Sequence, residues 1–325
     1  MSHSLLGTAA ALLIGCSGSP TTAGLEEPLR VASAQFISGS LPGTPPLTAQ
    51  EVRDGVLATT PRVTSFSFSA GGLRPGSANN ALRGRASADA AAVAIGFLDA
   101  GSGYWVLPVS GQDPSFPGEF SWSTSFDVGY GIAPGLHELR LAAIGLDGES
   151  GTQESLKLCI NSPVPDNSNA CLPTRSPPHT VVSLTWDTSV DLDLRVLTPS
   201  GKFVDAKHPT SALPDANGKI DPSAPGTALL QRDGGLACST SGGLREDLVF
   251  NQAPAAGRYQ VFANLYDSCG ANSVRFQLSF WSALAGDTPG TFTQQKSFEL
   301  SGITLGVQAS QGSTHGQFLT EFIAL

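Results

Sequence analysis

The stretch Val181-Val182-Ser183-Leu184-Thr185-Trp186-Asp187-Thr188-Ser189-Val190-Asp191-Leu192-Asp193-Leu194-Arg195-Val196-Leu197 decides the fold class. It is rich in β-branched and aliphatic residues, and apolar and polar side chains alternate through its second half. The turn Pro199-Ser200-Gly201-Lys202 follows, and Phe203-Val204 starts the return. A period of two is the pattern of a strand with one buried face. The whole stretch therefore reads as one long strand. The same period recurs on both sides of it. In residues 273–281, Val274, Phe276, Leu278 and Phe280 share one face, and Arg275, Gln277 and Ser279 the other. Residues 244–250, 258–266 and segments between 290 and 325 add further strands. Upstream, residues 63–68, 92–98, 104–109, 118–128, 135–144 and 155–160 alternate likewise, with Gly and Pro between them. No helix of three turns and no internal repeat is legible. The expected fold is all-β, with two antiparallel β-sandwich domains in tandem at residues 60–162 and 179–325.

Bulk composition agrees. The 325 residues include 37 Gly and 23 Pro, and 40% of the chain is hydrophobic, so many tight turns can join well-buried strands. The formal net charge is −9 and no run of Lys or Arg occurs, which argues against nucleic acid as a partner.

Residues 5–15 form an apolar run too short to span a bilayer but suited to the core of a secretory signal. The run ends in Leu13-Ile14-Gly15-Cys16. This resembles the bacterial lipobox, in which the Cys is lipidated and becomes the new N-terminus. The resemblance implies a signal peptide over residues 1–15 and a lipid on Cys16. Residues 16–59 read as a tether and linker, within which residues 29–37 alternate enough to be a strand. Position 17 is Ser rather than Asp, which by the same analogy implies the outer membrane. Of the five cysteines, removal of Cys16 leaves four, which can pair in three ways. Local spacing favours Cys159–Cys171 and Cys238–Cys269. No C-x-x-C occurs, so a zinc site is disfavoured. Pro163, Pro165, Pro173, Pro177 and Pro178 forbid helix or strand through residues 163–178, a stapled inter-domain connector.

Residues 205–243 are irregular and proline-broken, and a loop this long is functional or pinned by something. On a strand, Leu192 and Leu194 face the core while Asp191 and Asp193 face outward together, with Asp187 further along the same face. Carboxylates so placed repel one another unless a cation lies between them. Calcium takes six to eight oxygens in flexible geometry. The loop side offers Asp221, Asp233, Glu246 and Asp247 as further ligands. The competing expectation is a solvated polar face that bonds turn amides.

The phrases LTWDTSVDLDLRVLTPSGKFV, LREDLVF and AGRYQVFANLY resemble an uncharacterised family of bacterial secreted domains marked by a W-D-x-x-x-D-L-D-L strand, over about residues 181–281. The D-L-D-L part is also similar to the calcium-binding tellurite-resistance family. That likeness implies Asp191 and Asp193 as ligands and no known reaction. PGLHELRLAAIGLDGESG resembles the late strands of immunoglobulin-like or fibronectin-like modules, which implies a fold only.

Enzyme motifs are scarce. There is no H-E-x-x-H and no G-x-S-x-G, and Ser239-Thr240-Ser241-Gly242-Gly243 reads as turn chemistry. The expectation is a non-catalytic cell-envelope lipoprotein, a calcium-stabilised adhesion or accessory scaffold, whose partners are the membrane and an envelope protein or glycan. A carbohydrate- or peptide-binding module is the first alternative, favoured by exposed Trp105 or Trp122. An orphan hydrolase is the second, favoured by a pocket holding Asp191 and Asp193 beside a third acid.

Overall fold

The computed structural model describes residues 24–69, 72–221, 224–239 and 243–325. The expected signal peptide, Cys16 and the start of the tether lie outside the described residues. The chain divides into two compact units. One comprises the described residues of Met1–Ala70 with Gly76–Gly131 and Glu138–Leu156; the other comprises Gly71–Pro75, Ile132–His137 and Lys157–Leu325. Nearly all regular structure is antiparallel strand, as expected, and the described residues contain one five-residue α-helix, α1 (Ala49–Arg53), closed by a Thr48/Glu51 capping box.

The first sandwich is built from β1 (Leu29–Val31), β2 (Gln35–Ser38), β3 (Val63–Ser69), β4 (Asn80–Ser87), β5 (Ala90–Phe97), β6 (Gly103–Pro108), β7 (Glu119–Val128), β8 (Gly135–Gly145) and β9 (Glu154–Ile160). Its sheets run β1-β7-β4-β3 and β2-β6-β5-β8-β9. Within residues 24–59, expected as tether and linker with one strand over residues 29–37, the structure has two short strands, β1 and β2, which edge the two sheets. Leu29 and Val31 are buried, and the Trp105 indole donates to the Leu29 carbonyl at 2.6 Å while its ring meets Phe36 at 5.3 Å. β4 has no clear sequence signal because its inward side chains are only Leu82 and Ala86. Its middle, Gly84, is left bare by necessity. A Cβ there would come within 2.2 Å of the Ser65 carbonyl and 2.6 Å of the Trp122 ring.

The second sandwich contains β10 (Thr180–Trp186), β11 (Asp191–Leu197), β12 (Phe203–Val204), β13 (Leu229–Arg232), β14 (Arg245–Phe250), β15 (Gly257–Asp267), β16 (Ser273–Ala285), β17 (Phe292–Leu305) and β18 (Gln317–Ala324). The sheets run β13-β14-β10-β16-β17 and β12-β11-β15-β18. Here the expectation of one long strand over 181–197 is corrected. β10 and β11 belong to different sheets, and residues 187–190 cross between them. Asp187 makes the break: its Oδ1 accepts from the Arg275 amide at 3.0 Å and the Thr188 hydroxyl at 2.8 Å. The crossing sets Val182, Leu184 and Trp186 of one sheet in the same core as Leu192, Leu194 and Val196 of the other, closed by Tyr259, Val261, Leu278 and Phe280. The long loop holds a short strand that was not legible, β13, paired with β14.

Both expected disulfides are present, Cys159–Cys171 with Cα atoms 5.7 Å apart and Cys238–Cys269 at 5.9 Å. The Pro-rich stretch belongs to the second unit, which begins at Lys157 in this part of the chain. It is laid along the second sandwich: Gln294 donates to Pro165 O at 2.7 Å, the Phe292 amide to Pro173 O at 3.0 Å, and Arg245 to Pro163 O.

Candidate metal centre

Strand parity places the carboxylates. On β11, Leu192 and Leu194 are fully buried inward, so Asp191 and Asp193 fall on the opposite face. They do not meet open water. Both line a depression of about 480 Å³ together with Asp205, Asp233, Asn264 and Tyr266. Asp191 is only 5% exposed and its Oδ2 accepts from the Ala237 amide at 3.3 Å. Asn264 stands directly across from Asp193, its Nδ2 3.5 Å from the carboxylate.

Glu246 comes from the facing sheet. Positions 246, 248 and 250 of β14 point inward, and Leu248 and Phe250 sit in the core. β12 is two residues long and pairs only with Val196 and Leu197, which leaves the Leu194 amide without a strand partner. Glu246 Oε2 accepts that amide at 2.5 Å. The residue is 0% exposed; no N–H or hydroxyl donor among the described residues reaches its Oε1, and the neighbouring carboxyl is that of Asp233, which raises its pKa. A buried carboxylate oxygen left this way carries an unrelieved desolvation penalty.

The electrostatics point the same way. Burial, then the charges of Asp191 and Asp233, push the Asp193 pKa up to about 7. Burial, with Asp193 and Asp233 nearby, holds Glu246 well above the ordinary carboxylate range. Asp191 is raised mainly by burial. Burial is the first cause of each shift, and neighbouring carboxylates add to it. Asp205, by contrast, is satisfied: Arg195 binds it at 2.9 Å, and the amides of Lys207 and His208 and the His208 ring donate to it.

Of the residues expected as ligands, the structure gathers Asp191, Asp193, Asp233 and Glu246. It leaves the others apart. Asp187 is held at the sheet crossing, its pKa lowered first by the Thr188 hydrogen bond. The idea that it shares a face with Asp191 fails because the two residues belong to no common strand. Asp247, one position from Glu246, faces the other side of β14 and pairs with Arg245 at 2.7 Å. Asp221 is exposed and does not line the depression. Asp205 and Asn264 carry no motif; Asp205 is visible only as an acid just after a two-residue return strand.

An all-oxygen, carboxylate-rich set suits a hard cation such as calcium rather than zinc or copper. The buried Glu246 carboxyl, set beside the carboxyls of Asp193 and Asp233, is the structural observation that fits such an ion. The carboxylates are spread: among the described residues, the one trio of potential ligands lying within 4.8 Å of one another is Cys238, Asp267 and Cys269. Its two cysteines are joined in a disulfide and offer no thiolate.

No protein-family model and no curated protein matches the chain. Among solved structures, it is similar to dimeric latent PorU from Porphyromonas gingivalis, at 10% identity and a TM-score of 0.20, covering 80% of this chain and 21% of that one. It is also similar to BcpA, the major pilin subunit of Bacillus cereus, at 10% identity and a TM-score of 0.19, covering 74% of this chain and 66% of that one. This chain therefore spans less than two thirds of either protein, and likenesses this low leave the functional reading to the site itself.

Proposed function

We propose that this chain is a non-catalytic, lipid-anchored envelope protein whose second sandwich is clamped by calcium and serves as an adhesion or accessory scaffold. The observation that carries the metal part is the grouping of Asp191, Asp193 and Asp233 around one depression with the buried Glu246 carboxyl beside Asp193 and Asp233. Two unit charges about 7 Å apart repel by roughly 2.4 kcal/mol at an effective dielectric of about 20. A divalent ion reverses that sign and ties the loop to β11. Binding to the folded form alone stabilises it by about 2.7 kcal/mol at a hundredfold excess over the dissociation constant. The test is metal analysis of the purified protein and its thermal melt in calcium, magnesium and chelator. Calcium should raise the transition of the second sandwich by several degrees, and magnesium by less. A melt unmoved by millimolar calcium would sink the reading.

One observation favours a second reading. The depression holds Asp191 and Asp193 beside Asp233, and an Asp193 pKa near 7 suits a general acid. As a hydrolase, the protein would lose glycoside turnover in Asp193→Asn at every calcium concentration. The glycan-platform reading loses its support, because Trp105 and Trp122 are 8% and 1% exposed.

A further inference from the structure

The two disulfides of the Lys157–Leu325 unit differ in their settings. In Cys159–Cys171, Cys171 is buried with its amide bonded to Ser168 O at 3.2 Å, and neither cysteine has a left-handed backbone. In Cys238–Cys269 both residues are partly exposed. Cys238, its neighbour Ala237 and Cys269 all lie in the left-handed region, at φ 63°, 51° and 52°. Backbone strain of that kind persists only where the surroundings enforce it, and the covalent bond is part of what enforces it here. Strained and exposed disulfides have the higher reduction potentials, so a reductant should open Cys238–Cys269 before Cys159–Cys171.

Both ends of this bond touch the surroundings of Asp191. On one side the Ala237 amide donates to Asp191 Oδ2 at 3.3 Å, and the Ser189 hydroxyl donates to Cys238 O at 2.7 Å. On the other, Asp267 stands opposite Asp191 in the β11–β15 pair, and its Oδ1 accepts the Cys269 amide at 2.7 Å. Asp233 lies on the same loop segment as Cys238. We propose that Cys238–Cys269 is a redox switch on the acidic site, a role that rests on the calcium reading: the oxidised bond holds the site in its calcium-binding form, and a dithiol loosens it. One thiolate of the dithiol attacks a cysteine sulfur, its second thiol resolves the mixed disulfide, and the reagent leaves as a cyclic disulfide. Two electrons and two protons pass to the protein. An oxygen of the Asp267 carboxylate lies within 4.8 Å of both sulfurs and disfavours further negative charge, so the protons stay on the Cys238 and Cys269 thiols. With the bond open, the left-handed turn that presents the Ala237 amide to Asp191 loses its covalent tie, and so does the segment bearing Asp233.

The experiment is calorimetric titration of the full chain with calcium, once oxidised and once after graded treatment with dithiothreitol. Thiol alkylation and peptide mapping of each sample identify the open bond. We expect a dithiol concentration at which Cys238 and Cys269 are alkylated while Cys159–Cys171 stays joined, and there a calcium affinity weakened tenfold or more. Linkage makes the effect reciprocal, so calcium should make the bond harder to reduce by the same factor. A tenfold coupling is a shift of about 30 mV in the midpoint of a two-electron couple. The Cys238→Ser/Cys269→Ser variant should bind calcium like the reduced protein and be indifferent to the reagent. Melts in chelator check that the reduced chain stays folded; a reduced chain without a cooperative melt overturns the proposal, because lost binding is then lost structure. Equal calcium affinity in the two forms, or earlier opening of Cys159–Cys171, overturns the switch and leaves the metal reading standing. No calcium binding by the oxidised chain sinks the metal reading, and the switch with it.

Discussion

Glu246 and Asp247 differ by one position on β14, and parity gives them opposite fates. Glu246 reaches across the sandwich to Leu194, while Asp247 stays with Arg245 on the outer face. Asp187 and Asp193 separate in the same way, one at the sheet crossing and one in the depression. Asp193→Asn should therefore abolish the calcium shift of the melt, and Asp187→Asn should leave that shift intact while lowering stability in calcium and chelator alike. A calcium shift lost in Asp187→Asn would contradict the assignment. Asp193 also sets a pH dependence for the metal-free protein. Its pKa is raised to about 7, so between about pH 4 and about pH 7 the folded chain holds a proton that the unfolded chain has released. The contribution is fully present below about pH 4 and is lost as pH rises through about 7. In chelator, melting temperature should fall across that window. In calcium the cation replaces the proton and the fall should flatten. Melts at pH 4.5, 6 and 7.5 under both conditions check this, and parallel curves would refute it.

The loop 205–243 is held at its far end by one covalent link. Cys238 bonds to Cys269, Ser189 donates to the Cys238 carbonyl at 2.7 Å, and Ala237 next to it caps Asp191. Ala237, Cys238 and Cys269 are all left-handed, at φ 51°, 63° and 52°, so the turn depends on its surroundings. Replacing both cysteines with Ser should cost about 3.5 kcal/mol by the chain-entropy estimate for a loop of this size. It should also weaken calcium binding, because the amide that orients Asp191 is released. Denaturant melts with and without calcium measure both, and an unchanged calcium affinity would separate the disulfide from the site. In the first sandwich, Gly84→Val should destabilise by about 2 kcal/mol or more, since the new side chain meets the Ser65 carbonyl and the Trp122 ring. Chemical denaturation of the full chain reads that loss on the first transition.

On the scale of the whole molecule, the proposed anchor lies in the sequence before the described residues. Wild-type protein expressed in a bacterial envelope should partition into detergent, and Cys16→Ser should remain aqueous. Equal partitioning, or a mature N-terminus other than Cys16, would remove the anchor from the proposal. Leu194→Ala tests the shared core of the second sandwich, where its side chain is fully buried. A loss of about 2–5 kcal/mol is expected. Such a loss should leave the first transition of the melt in place if the two compact units unfold separately.

The all-β class and most strands are legible because a period of two needs only neighbouring residues, as in Val274, Phe276, Leu278 and Phe280. The cysteine pairs are legible too, since each closes a short loop within one neighbourhood of the chain. Asp191 and Asp193 stand out by the same parity. Elements without a repeating apolar face are not legible. β4 hides because Gly84 yields its place to Trp122. The alternation over residues 29–37 reads as one strand, and the structure divides it into β1 and β2, with Trp105 bonded to Leu29 O and packed on Phe36. Residues 181–197 read as one strand, yet the structure divides them between two sheets, with Asp187 held on Arg275 and Ser189 on the Cys238 carbonyl at the crossing. The choice of Glu246 over Asp247 likewise waits on which face of β14 meets β11. Alternation fixes which residues share a face; which face turns inward, and what it meets, is decided by sheets that pack from distant parts of the chain.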